Sequence, residues 1–439
     1  MNSRGGQIFS SLLAIVIIAA ILPSFTALSE SYTQMFPDIA SRTGPLNPFK
    51  FFTPFLFIFV AVDLYKIRDR SERRGYFLLG GAWVIGTLFT TLAASRCGFP
   101  SMFLREWATI TLGLLVGIAL RVFPPGLRDR VFFGWLALVF LAVLLDLFLP
   151  TSIDWLYAHV FDPETRKWDL LETGVPALTG VFGRQSAAKL MAWLPWLSLP
   201  LVFKRPKRDL YLALAAIGVW SGLILATSQR GPMLASFGAL FVFGVHRAWR
   251  ERDPQFLVGT AFAIGIGFAS IFVTVPYKII GPRLLHQPPV ESTGAPVKNS
   301  KEILEASEHN AHFRYAMARV SLDAIREYPL GNACLPKSFF TERKISEAHS
   351  HNLFLEQFRS RGWIWGLLHL GLWLLAGFAF FRRSDARASA YLAVITAIFI
   401  CGFVDHPWFV LNQAIVLGAV LVDGVVQYFT GTSGTSDAV

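Results

Sequence analysis

Apolar residues run through this chain in stretches near 7–27, 48–65, 76–94, 103–121, 131–149, 186–203, 210–226, 232–246, 255–275, 363–381, 388–404 and 408–428. A bilayer core is crossed by roughly 20 helical residues, so the pattern predicts an all-α, polytopic membrane protein with about twelve transmembrane helices. The polar breaks between the stretches differ in charge. Lys and Arg crowd into "KIRDRSERR" (66–74), "RVFPPGLRDR" (121–130), "KRPKR" (204–208), "HRAWRERD" (246–253) and "RRSDAR" (382–387), and these alternate with breaks poorer in basic residues. The positive-inside rule assigns the basic breaks to the cytoplasm. Both termini then lie inside, and the long connections 28–47, 150–185 and 276–362 lie outside. The expected organisation is one integral-membrane domain over 1–439, with 276–362 as its large outer loop. The first 30 residues have the basic start and apolar middle of a signal peptide, and are read as a retained first span.

Composition supports this reading. Hydrophobic residues make up 54% of the chain, charged residues 16%, and the mean hydropathy is +0.49, outside the balance of a soluble domain. The net charge of +11 does not point to nucleic acid, because the basic residues sit beside helix ends, where they anchor topology and meet membrane lipids. Cys97, Cys334 and Cys401 have no metal-binding spacing; Cys97 and Cys334 both face outward, as unpaired thiols or as a pair in an oxidising compartment.

Candidate chemistry concentrates in the second half. Asp63 and Asp146 lie near the ends of apolar stretches and Asp423 lies in the last one; carboxylates near helix ends usually reach the interface. The short outer turn "SQRGPML" (228–234) places Arg230 at a helix start, with Pro232 suited to the first helical turn. That position favours an anion, although lipid phosphate would serve as well. Arg184 and Lys189 enter the sixth stretch from outside, against the positive-inside trend, so a ligand anion or a carboxylate of the protein should compensate them.

Within the outer loop, residues 277–300 are rich in Pro, Gly and Ser and predict irregular chain. Residues 310–328 predict a helix ended by Pro329-Leu330-Gly331. At 100° per residue Arg314 shares a face with Met317, Ala318, Ser321 and Ile325, and is expected to be buried there against a carboxylate or a phosphate. Arg319 and Asp323 form an ordinary i,i+4 surface pair. His349 and His351 follow at the outer surface. An imidazole there can accept a proton, bind metal with the help of His309 and His312, or simply sit in the interface; an H-x-H pair with no third ligand nearby is a weak metal signal.

"HNLFLEQFRSRG", His351 to Gly362, resembles the signature of the O-antigen ligase family: a histidine followed by Asn, Ser or Gln, then nine residues and a glycine. Counting from His349-Ser350 ends on Ser360, so the register selects His351-Asn352. The family pattern has Gly, Thr or Tyr three positions after the glycine, where this chain has Trp365 followed by Gly366. "ATSQRGPMLASFGALFVF", "HFRYAMARVSLDAIREYPLGNA" and "GRQSAAKLMAWLPWL" resemble, in order, the family's outer arginine turn, its outer-loop helix with a Pro-x-Gly end, and the opening of its catalytic half. The resemblance covers roughly residues 180–405.

The resemblance implies transfer of a glycan from undecaprenyl pyrophosphate, at the periplasmic face of the bacterial inner membrane, to a sugar hydroxyl of lipid A-core. It implies His351 as general base, Arg230, Arg314 and Arg184 as pyrophosphate ligands, and Asn352, His349, Asp405 and Lys189 in support, with no metal or cofactor. An imidazole has an unperturbed pKa near 6.5, suited to a base at ambient pH, and one base without a carboxylate nucleophile predicts inversion. Asp405 is the outer carboxylate that could instead act as nucleophile, or orient His351. O-antigen polymerase and O-linked protein oligosaccharyltransferase are alternatives within the family. The short stretch after the last apolar run favours the ligase. A membrane transporter is the alternative of another class, but no repeated halves are evident.

Overall fold

The structure, a computed structural model, describes residues 4–19, 22, 49–67, 69–96, 101–160, 181–182, 184–203, 205–227, 229–284, 300–332, 352–404 and 410–430. Among these residues the chain is all helical and contains no strand. The helices are α1 (Arg4–Ala19), α2 (Phe49–Lys66), α3 (Arg70–Ser95), α4 (Ser101–Val122), α5 (Pro125–Phe148), α6 (Pro150–His159), α7 (Arg184–Ser198), α8 (Lys207–Leu223), α9 (Arg230–Glu251), α10 (Gln255–Leu284), α11 (Ser300–Glu327), α12 (Leu353–Arg382), α13 (Ala386–Val404) and α14 (Leu411–Thr430). Each predicted apolar stretch overlaps one of these helices; residues 20, 21, 23–27, 48, 408 and 409 of the stretches lie outside the described residues. Five of the helices are long and apolar enough among the described residues to cross a membrane: α3, α10, α12, α13 and α14.

Local chemistry sets several helix ends. Asp69 caps α3 by accepting from Ser71 N at 2.9 Å, and hydrogen bonds from Ser71 hold its carboxyl below the usual carboxylate range. Pro125 and Pro150 open α5 and α6, where a missing N–H costs nothing. Arg252 ends α9 in the left-handed region at φ 53°.

Two helices form the centre. α14 is buried all round from Asn412 to Val426 and packs on α3, α4 and α12, while α7 is buried from Ser186 onward and packs on α5 and α13. The α4–α14 contact is made backbone to backbone: a Cβ added at Gly113 would stand 2.3 Å from Ala414 O, and one at Gly117 2.4 Å from Gly418 O. This is the small-xxx-small solution for close helix approach in lipid. Asp423 on α14 accepts from Arg121 Nη1 at 2.8 Å and Arg128 Nη1 at 3.1 Å, so this carboxylate in an apolar helix is an internal counter-ion.

The five basic breaks meet one another. Glu72 lies 3.8 Å from Arg121, Arg387 Nη2 lies 2.7 Å from Asp129, Arg247 Nη1 donates to Ser384 O at 3.4 Å, and Lys207 Nζ lies 3.0 Å from Asp253. They form one end of the bundle.

Three expectations change. α10 continues to Leu284, through Tyr277–Leu284 where irregular chain was expected, because the apolar Ile279-Ile280 run carries the helix past Gly281 and Pro282. α11 begins at Ser300 rather than near 310, since "SKEILEAS" has strong helix formers despite its polarity. Arg314 is exposed, not buried: α11 does bury Met317, Ser321, Ala324 and Ile325, but the buried face does not extend a full turn further to Arg314.

Candidate functional site

The stretch singled out by sequence begins with a cap. Asn352 has an extended backbone at φ −142° and ψ 122°, and its Oδ1 accepts from Phe354 N and Leu355 N, each at 3.0 Å. Its Nδ2 donates to Phe403 O at 3.1 Å, tying the start of α12 to the last turn of α13. Nine helical residues follow, Leu353 to Arg361. The helix then breaks at Gly362, whose φ of 84° and ψ of 174° belong to a region open essentially to glycine.

The break receives the Pro-Leu-Gly turn that ends α11. Trp363 N donates to Pro329 O at 2.9 Å and Asn332 N donates to Arg359 O at 3.1 Å. Gly331, at φ 82°, and Gly362 face each other so closely that a Cβ on either would come within 2.6 Å of the other strand's backbone. Arg96, just past α3, donates to Gly331 O at 3.2 Å. Two glycines with left-handed backbones thus allow two chain segments to touch where side chains could not fit.

Behind the break lies a buried polar cluster. Arg361 is wholly buried, with Nη2 3.0 Å from Glu106 Oε2, Nε 3.0 Å from Thr90 Oγ1 and Nη1 2.9 Å from Gln357 Oε1. Gln357 Nε2 donates to Glu106 Oε1 at 2.9 Å, and Trp365 Nε1 donates to Gln357 Oε1 at 2.8 Å. Trp107 and Trp365, both buried, meet edge to face beside the cluster with centroids 5.2 Å apart. A buried pair of charges costs several kcal/mol to desolvate, and only such dense hydrogen bonding offsets that. Sequence reasoning missed Glu106. The available signal was a carboxylate in the first turns of an apolar helix; its partners lie some 250 positions away.

The predicted site residues are described unevenly. His351, His349 and Asp405 lie outside the described residues. Arg184 is the first residue of α7, and its side chain is outside the description. Arg230 is the first residue of α9, with Pro232 in the same turn, and is exposed. Arg314 is exposed on α11. Lys189 is buried, with Nζ 3.1 Å from Gln413 Oε1, and Gln413 Nε2 donates to Ser186 Oγ at 2.9 Å. Among the described residues no hydrogen bond or ion pair joins Arg230 or Arg314 to Asn352. The described residues hold no cluster of three His, Cys, Asp or Glu side chains suited to a metal, and the side chains of His309 and His312 lie outside them. Compared with protein-family models and with curated proteins, the chain matches none.

Proposed function

We propose that this chain is an inner-membrane glycosyltransferase of the O-antigen ligase kind, with twelve spans and its site at the periplasmic face, moving a glycan from undecaprenyl pyrophosphate to a sugar hydroxyl of lipid A-core. The observation that carries the reading is the fit of the His-Asn-x9-Gly spacing to the fold. The nine residues are one helix, the asparagine is its cap, and the glycine is the break at φ 84° that docks on the Pro-Leu-Gly turn. Two stretches that resemble the same family are therefore mated through positions where the resemblance fixes the residue type.

In the proposed reaction the acceptor hydroxyl attacks the anomeric carbon, His351 takes its proton, and the carbon–oxygen bond to pyrophosphate breaks on the opposite face. Arg230, Arg314 and Arg184 neutralise the departing diphosphate, a task that planar guanidinium groups perform without a metal. Lys189, held by Gln413 inside the bundle, joins α7 to α14 and supports the scaffold rather than gripping the donor.

Purified protein in detergent should transfer lipid-linked glycan to lipid A-core with inversion at the anomeric carbon, read by NMR, and with full activity in excess chelator. His351→Ala should lose at least about 100-fold, and His349→Ala far less. Wild-type turnover in His351→Ala would sink the assignment. Transfer to a repeat unit or a peptide, and not to lipid A-core, would move the protein to the polymerase or the protein-glycosylating branch.

A further inference from the structure

We infer that Glu106 on α4 is a positioning residue: through Arg361 and Gln357 it fixes the nine-residue helix Leu353–Arg361, and so sets where the residue at its N-terminal mouth stands. The consequence for catalysis rests on the glycosyltransferase reading; the mechanical role does not.

The helix is held at both ends by different means. At the front, Asn352 Nδ2 donates to Phe403 O. At the rear, Glu106 accepts from Gln357 Nε2 at 2.9 Å and from Arg361 Nη2 at 3.0 Å, while Arg361 Nε reaches Thr90 on α3. One carboxylate thus grips two residues one turn apart, which fixes rotation about the helix axis as well as distance from α4. The backbone bonds at the rear, Asn332 N to Arg359 O and Trp363 N to Pro329 O, tie the helix to the Pro-Leu-Gly turn and not to α4, and Gly362 interrupts the helix between the nine residues and the rest of α12.

The energetics argue for geometry over stability. Apolar residues of similar volume replace a buried ion pair with little or no loss of stability, so folding alone does not call for Glu106 and Arg361. A directional, saturated pair does specify one register. Nine residues span about 14 Å, so a tilt of about 10° at the rear moves the front by about 2 Å. Misplacement of a reacting group by about 1 Å can cost about 100-fold in rate.

The test compares wild type, Glu106→Gln, and the apolar double variant Glu106→Met with Arg361→Met, all in full-length protein in detergent. Spin labels at Leu355 and Tyr428, in a cysteine-free background, report the distance from the helix to the far end of α14. The double variant should melt within a few degrees of wild type while its distance distribution shifts or broadens. In unlabelled protein, kcat should fall at least about tenfold with the KM for lipid-linked donor within about twofold. An unchanged distribution in the folded double variant, or loss of folded protein in both variants, would overturn the inference and return the pair to a stabilising role. If the distribution moves but wild type transfers no glycan, the positioning role stands and the glycosyltransferase reading falls.

Discussion

At Gly362 a Cβ would stand 2.6 Å from Leu330 C and 2.7 Å from Pro329 O, on a backbone already at φ 84°. Gly362→Ala should therefore destabilise the protein by about 1–3 kcal/mol, read as a lower melting temperature in detergent; an unchanged melting temperature would mean that the two turns separate at little cost. The proposed arginines differ in kind, because their chemistry lies in shape as well as charge. Arg230→Lys and Arg314→Lys should each weaken donor binding about as much as Ala does, since a point charge does not replace a bidentate fork. Donor affinity equal to wild type in both would return them to interfacial roles. Residue by residue, the sequence made visible what is local: the asparagine and glycine of the His-Asn-x9-Gly spacing, and Arg230 at a helix start. Glu106 and Arg361 stayed hidden because they pair between α4 and α12, 255 positions apart, and the burial expected for Arg314 failed because periodicity marks a helix face without saying how far along it the neighbours reach.

At the scale of elements, apolar length was the reliable guide, since each predicted stretch overlaps a helix. The ends were less legible. Tyr277–Leu284 contains Gly and Pro yet continues α10, and the polar residues 300–309 extend α11, because local breakers and polarity bias a helix end without deciding it. Glycines inside the helices separate into two kinds. A Cβ at Gly418 would meet Gly113 O at 2.0 Å, whereas one at Gly371 meets nothing within 4 Å. Gly418→Ala should cost about 1–3 kcal/mol by forcing α4 and α14 apart, while Gly371→Ala should be neutral or slightly stabilising. Similar melting temperatures for the two variants would contradict the close α4–α14 approach.

For the whole molecule, the five basic breaks gathered at one end give the charge asymmetry a spatial form. The Pro-Leu-Gly turn and the start of α12 meet away from that set, tied to Arg96 and Phe403 instead. Under the proposed orientation, Leu330→Cys should react with an impermeant thiol reagent added to spheroplasts, and Arg252→Cys only in inverted vesicles, both in a cysteine-free background. Labelling of both from one side would refute the topology. The segment order was readable from sequence because lipid imposes a simple length and charge code; which helices lie at the centre was not, since α14 is no more apolar than the largely exposed α10, and α7 is less apolar than α5 and α13, on which it packs.

Because Asn352 is hooked to Phe403 O at one end and Gly362 is pinned to Pro329 O through Trp363 N at the other, the chain between them works as a ruler. Exchanging a side chain along it changes a contact. Adding or removing one residue changes phase: the cap turns by about 100° and moves about 1.5 Å along the axis, so the two attachments can no longer be made together. Gln357 and Arg361 aside, this stretch should therefore accept many spellings but only one length.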